Sequence, residues 1–298
     1  MNSKRSAILS GLITLCVLFA LFIAGKPAEQ TASRDRSVSA IRYFPVYSYL
    51  NKAETDNSFA IDTTHGAEGY VALIARCAAP VKVKLVAPGG AERIYNVPNS
   101  GEVAYYPLSD GNGRYAVQIL RKAEKSENSE LYEHVAEDSC EAAAPDEFQP
   151  YMRPSTYVWF TGSSSCVKAA AKLCAGQSND DDKAKLIVQY VCTALDYDES
   201  LSEKEDQSFI RDPDAILNRR SGTCLDYAVL TAAMLRSQGI PAQVVYGDAN
   251  RTSGGSHAWN MVYTSARGWF RLDTTFTDQG AADSFIADDA NYSAIGWY

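Results

Sequence analysis

The stretch Ser221-Gly222-Thr223-Cys224-Leu225-Asp226-Tyr227-Ala228-Val229, running on to Leu235 and closing at Gln238-Gly239-Ile240-Pro241, decides how this chain is read. Ser221 to Thr223 form a turn and cap signal. Leu225, Ala228, Val229, Ala232 and Leu235 then recur at helical spacing until Gly239 and Pro241 stop the helix. Cys224 therefore stands at a helix N-terminus. Unpaired backbone N–H groups and the macrodipole place positive potential there, which favours thiolate over thiol and suits a nucleophile. A cysteine taken alone is more often a small buried hydrophobe or half of a disulfide, so the reading depends on partners elsewhere.

The chain has only three histidines. His257 opens His257-Ala258-Trp259-Asn260-Met261-Val262-Tyr263 after a strand at Gln243 to Tyr246 and a Gly-Ser loop, and it reads as the start of a strand. Trp269-Phe270-Arg271-Leu272-Asp273 reads as the next strand, ending on an acid before a Thr-rich loop. A hairpin of these two brings strand ends together. Cys224 and His257 are 33 positions apart and His257 and Asp273 are 16 apart, separations that a helix followed by adjacent strands spans. Together they would supply a thiolate, an imidazole that exchanges protons with it, and a carboxylate that fixes the imidazole tautomer. Asp226, on the same helix as Cys224, reads as a structural hydrogen-bond acceptor, and Tyr227, Trp259 and Trp269 as packing around the site. The segment from Asp248 to Ser256 reads as a surface loop. His65 and His134 stand isolated, and no spacing of His, Cys or carboxylates reads as a zinc site, so neither metal nor cofactor is expected.

Outward from this region, the composition is that of a globular protein: 298 residues, 46% apolar and 21% charged, with 19 Gly and 11 Pro. A net charge of -8 would repel a phosphate backbone, so no nucleic acid partner is expected. Lys4 and Arg5 precede an uncharged run from Ser6 to Gly25. At about 1.5 Å per residue that run spans about 30 Å as a helix, the thickness of a bilayer core. Residues 1–25 are thus expected to be a signal peptide or a signal anchor, with the chain from residue 26 outside the cytoplasm. The protein is then extracytoplasmic, either secreted or single-pass membrane-anchored through residues 6–25. Cys16 falls in the run. Cys77, Cys140, Cys166, Cys174, Cys192 and Cys224 follow it, in a compartment that permits disulfides but with a pairing the sequence leaves open. Cys166 and Cys174 would lie about 12 Å apart along a helix, too far to bridge.

Residues 26–58 read as a polar stalk. Residues 59–147 read as β-rich: Val81, Val83 and Leu85 alternate with Lys82 and Lys84, and turns at Pro88-Gly89-Gly90, Pro98-Asn99-Ser100-Gly101 and Asp110-Gly111-Asn112-Gly113 separate short runs. Residues 121–147 fit either a last strand with a linker or a flexible connector. From residue 148 the pattern turns helical. An acidic start at Asp180 to Asp182 leads into Ala184, Ile187, Val188, Val191 and Leu195, and Asp212-Pro213 begins a short helix ending near Arg220.

Gly222 to Ala228, Leu235 to Ala242, His257-Ala258-Trp259-Asn260 and Leu272-Asp273-Thr274-Thr275-Phe276 resemble, in residue type, order and spacing, the transglutaminase-like superfamily. The likeness covers Gly222 to Phe276 closely. Tyr197-Asp198, Gly111 to Tyr115 and the junction from Pro150 to Tyr157 are similar to exported bacterial members with a β-rich domain ahead of the enzyme domain. The resemblance implies an α+β fold: a papain- and transglutaminase-like catalytic core (148–298) whose cysteine helix packs on an antiparallel sheet bearing His and Asp. A preceding all-β sandwich-like domain and an N-terminal hydrophobic helix complete it. It also implies an enzyme in which Cys224 attacks an amide carbonyl, His257 protonates the leaving nitrogen and then activates the acceptor, and Asp273 orients His257. Water as acceptor gives hydrolysis of protein or peptide amides, expected over glutamine transamidation because water is always present. A non-catalytic cell-surface module on the same fold is the alternative of another class.

Overall fold

Alternation of valine and lysine at residues 81–85 makes one buried face and one wetted face, and the computed structural model bears this out: Val81, Val83 and Leu85 are buried, while Lys82 and Lys84 are only half-buried. The structure describes residues 58–123, 131–201, 210–249, 256–277 and 292–298. The apolar run at residues 6–25, Cys16 and the polar segment ahead of residue 58 lie outside them. Among the described residues no helix is long and apolar enough to cross a membrane.

The first half is two antiparallel sheets. Strands β1 (Ser58–Asp62), β2 (Tyr70–Arg76), β3 (Val81–Val86), β4 (Glu92–Val97), β5 (Ser100–Pro107), β6 (Gly113–Lys122) and β7 (Tyr132–Ala142) form one sheet in the order β1-β2-β5 and another in the order β4-β3-β6-β7. The segment that fitted either a strand or a connector contains a full strand, since β7 pairs with β6 from Gly113↔Ala142 to Lys122↔Tyr132. Val71, Leu73 and Ala75 of β2 share a core with Val83, Leu85, Val117 and Ile119 of the other sheet. Two sheets facing one another across such a core make a sandwich. The opposite face of β2 is also buried, Tyr70, Ala72 and Ile74 packing with Tyr105 of β5.

The second half opens with α1 (Ser165–Leu173) and α2 (Asp180–Ala194), then short β8 (Asp196–Tyr197), α3 (Pro213–Arg219) and β9 (Ser221–Gly222). It continues with α4 (Cys224–Ser237), β10 (Ala242–Ala249), β11 (Ser256–Thr264), β12 (Gly268–Leu272), the single turn α5 (Thr274–Thr277) and β13 (Tyr292–Trp297). The acids at residues 180–182 begin α2, where the Asn179 side chain accepts the Asp181 and Asp182 N–H groups. Asp212 caps α3 in the same manner. Strands β10 to β13 form an antiparallel sheet in the order β12-β11-β10-β13. The strand expected at Gln243 to Tyr246 runs on to Ala249, and β11 starts at Ser256. Only residues 250–255 of the expected surface loop remain between them, outside the described set.

Helix α4 is buried from Leu225 to Ser237. Its flanks are covered by α1, α2, α3 and the sheet, and its apolar residues belong to the core that continues into the sandwich. The two halves are joined by main-chain and aromatic contacts. Tyr105 donates its N–H to Thr156 Oγ1 at 2.7 Å, and Thr156 returns its N–H to the Tyr105 carbonyl at 3.0 Å. Tyr95 packs on Tyr106, Tyr157 and Tyr298, and the Tyr157 hydroxyl donates to the Asn96 carbonyl at 3.0 Å.

At the far end of α4 the Arg236 guanidinium, 1% exposed, donates to three carbonyls: Ala242 at 2.8 Å, Arg153 at 3.0 Å and Tyr298 at 3.1 Å. One side chain therefore ties the helix, β10, the junction between the halves and the segment after β13. Burial pulls its pKa down from the ordinary guanidinium value. Arg236→Met keeps the apolar stem but leaves three carbonyls without their donor. It should cost about 3 kcal/mol, read as a lower urea midpoint at unchanged slope.

Candidate active site

Cys224 is the first residue of α4, as its sequence position predicts. The turn that delivers it is built around Asp226. That carboxylate, 0% exposed, accepts the Thr223 N–H at 2.9 Å and the Arg219 Nη2 donor at 2.9 Å, with Arg211 Nε 3.7 Å from its other oxygen. It reads as structural, closing the helix start with a charge favourable to the dipole. Gly222 is required by the same packing, because a Cβ there would stand 2.5 Å from the Asp226 Cβ. Tyr197 pairs with Gly222 across the parallel β8–β9 contact, and the Asp198 N–H donates to the Gly222 carbonyl at 3.1 Å.

The sheet carries the other two groups. His257 lies near the start of β11, in register with Gly247 of β10. Asp273 follows β12 immediately, and its Oδ1 accepts the Thr275 N–H at 3.1 Å, so the acid ends the strand and starts the next turn. His257 Nε2 and Asp273 Oδ2 are 2.7 Å apart with both side chains buried. The thiol of Cys224 is a second side-chain hydrogen-bond partner of the ring, and with Nε2 given to Asp273 the nitrogen left for sulfur is Nδ1. Cys224 is half-buried, and none of the six described cysteines forms a disulfide. The structure thus brings all three sequence-predicted residues together.

Burial by itself would push the imidazolium pKa down. The hydrogen bonds to Asp273 and Cys224 and their negative charge outweigh it and raise the His257 pKa from 6.5 to about 9. The ring is held protonated beside the sulfur at neutral pH.

Several supporting residues were not found from sequence. Asn260 Nδ2 donates to the Ala228 carbonyl at 3.0 Å and the Gln243 carbonyl at 3.2 Å, pinning β11 to α4 one turn beyond Cys224. Tyr292 of β13 donates its hydroxyl to Asp273 Oδ2 at 2.9 Å, and Arg271 lies 4.3 Å over the Tyr292 ring. The H-A-W-N motif carried Asn260 in plain view, whereas Tyr292 lies 19 positions beyond Asp273 without a motif. Trp259 and Tyr227 are buried and act in packing, the Tyr227 hydroxyl donating to the Leu195 carbonyl at 2.7 Å. Trp269 packs tilted against Phe148 and edge-on against Tyr151 and Tyr263.

The two remaining histidines stand apart from this constellation. His65 faces Asp62 at 3.4 Å and Glu68 at 3.2 Å and stacks on Tyr70, so it is less isolated than its sequence context suggests. His134 meets Glu137 on the exposed face of β7. Among the described residues no group of three or more His, Cys, Asp or Glu is placed to hold a metal ion.

Sulfur, imidazole and carboxylate in series, on a helix packed against an antiparallel sheet, define a Cys-His-Asp constellation on a papain-like α+β scaffold. Residues 167–274 match the family model of the transglutaminase-like superfamily, so this part of the chain is similar to transglutaminase-like domains. The chain is 30% identical over 142 residues to the uncharacterized protein ML0607 of Mycobacterium leprae; the match covers 45% of this chain and 47% of that protein, about half its length. Among solved structures, one titled as a TGase is 27% identical, with 37% of this chain and 29% of that chain covered and a TM-score of 0.30. The periplasmic domain of TgpA from Pseudomonas aeruginosa is 14% identical, with 73% and 74% covered and a TM-score of 0.35.

The pH dependence of stability follows from the histidine. Its folded-state pKa lies above the ordinary value, so its contribution is complete below pH 6.5 and is lost as pH climbs through about 9. Thermal unfolding from pH 6 upward should show Asp273→Asn well below the parent near neutrality, with the gap narrowing through this window. A gap that widens with pH would contradict the assignment.

Proposed function

We propose that the chain is an exported cysteine enzyme that hydrolyses protein or peptide amides through Cys224, His257 and Asp273. The observation that carries this reading is the 2.7 Å His257–Asp273 contact made by a ring that also bonds the free Cys224 thiol. In the resting site the imidazole carries the proton that the leaving nitrogen will take. The Cys224 Sγ attacks the amide carbonyl carbon, forming the carbon–sulfur bond while the π electrons move to oxygen. The Cys224 backbone N–H, at the open start of α4, is placed to receive that oxyanion. Collapse of the tetrahedral species expels the amine, which takes the proton from His257 Nδ1 and leaves a thioester. Water then gives a proton to Nδ1 as its oxygen attacks the thioester, and the acid product leaves with the thiolate restored. Asp273 keeps Nε2 protonated throughout, fixing the tautomer that both steps use.

Export rests on Lys4 and Arg5 ahead of the uncharged run Ser6 to Gly25. In this reading the chain is secreted or tethered through residues 6–25, acts on surface proteins or peptides, and needs neither nucleic acid nor cofactor. Hydrolysis is preferred because water needs no dedicated acceptor site, whereas transamidation requires an amine to outcompete it.

Incubation with a peptide library, with and without a primary amine and read by mass, should give hydrolysed products that are insensitive to the amine. Ammonia release with amine incorporation would instead identify transamidation. Cys224→Ala and His257→Ala should each lower turnover by about 10³-fold or more. Alkylation of Cys224 at neutral pH should be fast in the parent and slow in His257→Ala. Slow labelling in both, with no product from any peptide, would favour a non-catalytic surface module.

A further inference from the structure

We infer that Tyr292 is a positioning residue for this reaction: its phenol O–H holds the Asp273 carboxylate, and through it the His257 imidazole, in the orientation the sulfur requires. The inference rests on the amide chemistry proposed above and extends it to a strand outside the three-residue constellation.

Asp273 is surrounded by donors from three different elements. Oδ1 takes the Thr275 N–H at 3.1 Å, while Oδ2 takes both His257 Nε2 at 2.7 Å and the Tyr292 hydroxyl at 2.9 Å. The phenol and the imidazole therefore share one oxygen. The Tyr292 ring is itself fixed. Trp259 meets it edge-on at 5.0 Å and 72°, Arg271 lies 4.3 Å over its face, and the His257 ring is 6.3 Å away. Its backbone is fixed as well, since β13 is hydrogen-bonded to β10 with Ala249↔Tyr292, Asp248↔Ser293 and Gly247↔Ala294 in register.

Gly247 explains how closely β13 comes. A Cβ at that position would lie 2.0 Å from the Ser293 carbonyl oxygen, so only glycine admits the strand at this distance. Gly247 is also the register partner of His257. One residue without a side chain thus lies between the histidine strand and the tyrosine strand.

Sharing an oxygen has a chemical consequence. The phenol withdraws charge from Oδ2 and so moderates how tightly Asp273 holds the imidazolium, leaving the ring a better acid toward the departing nitrogen. Among the described residues, the groups facing His257 include Cys224 from α4, Asp273 from the end of β12, Tyr292 from β13 and the Trp259 ring of its own strand. Arg271 stands behind the phenol, and Asp248 of β10 is exposed.

Tyr292→Phe removes one oxygen and retains the ring contacts with Trp259 and Arg271. Titration of the His257 imidazole by NMR in the intact chain should move upward by about 0.5 to 1 pH unit. On a peptide substrate kcat should fall about tenfold with KM nearly unchanged. A titration midpoint that stays in place or moves down would overturn the inference. The titration needs no turnover, so an upward shift in a chain that cleaves no amide would refute the activity while leaving the positioning role intact.

Discussion

The structure depends on enclosing one helix. α4 is buried on every side from Leu225 to Ser237, so its backbone ends cannot rely on water to satisfy their orphan N–H and C=O groups. Each end is closed by a buried ionic side chain used as a hydrogen-bonding tool. Asp226 accepts the Thr223 N–H at the start, and at the finish the Arg236 guanidinium gathers carbonyls from three other segments. Only the first residue, Cys224, stands partly open. A central helix sealed everywhere except at its positive tip presents sulfur where the field favours its anion.

The sheet supplies the answering groups through its edges. His257 comes from a central strand, Asp273 from the step off an edge strand, and Tyr292 from the opposite edge strand β13. The His257–Asp273 pair is desolvated, and such a pair persists only where geometry and extra donors offset the loss of water. The Thr275 N–H and the Tyr292 hydroxyl are those donors. The three groups are consequently held in one arrangement by contacts from several elements.

Much of this was readable in the residues. The cap signal, the helical spacing after Cys224 and the strand-ending acid at Asp273 are local features, and local chemistry fixes them. The sandwich was visible where one face is wet, as in Val81 to Leu85, because alternation then survives in the sequence. Tyr70 to Ala75 is buried on both faces, so it reads as an unbroken apolar run and conceals that one face joins the core of the second half. In the sequence Arg236 is one basic residue in the last turn of a helix. Its three acceptors come from residues 153, 242 and 298, and no local pattern announces such distant partners. Tyr292 was hidden for the same reason.

The tyrosine cluster that joins the halves bears on how this architecture can be divided. Tyr95 and Tyr106 lie on sandwich strands, Tyr157 follows the junction, and Tyr298 comes after β13, yet the four rings pack as one group beside the Arg236 anchor. A fragment cut near residue 150 would part Tyr95 and Tyr106 from Tyr157 and Tyr298 and bare half of that group to solvent. The sandwich is thus a built-in clamp on the half that carries α4, and any graft or exchange of it must carry a matching set of rings.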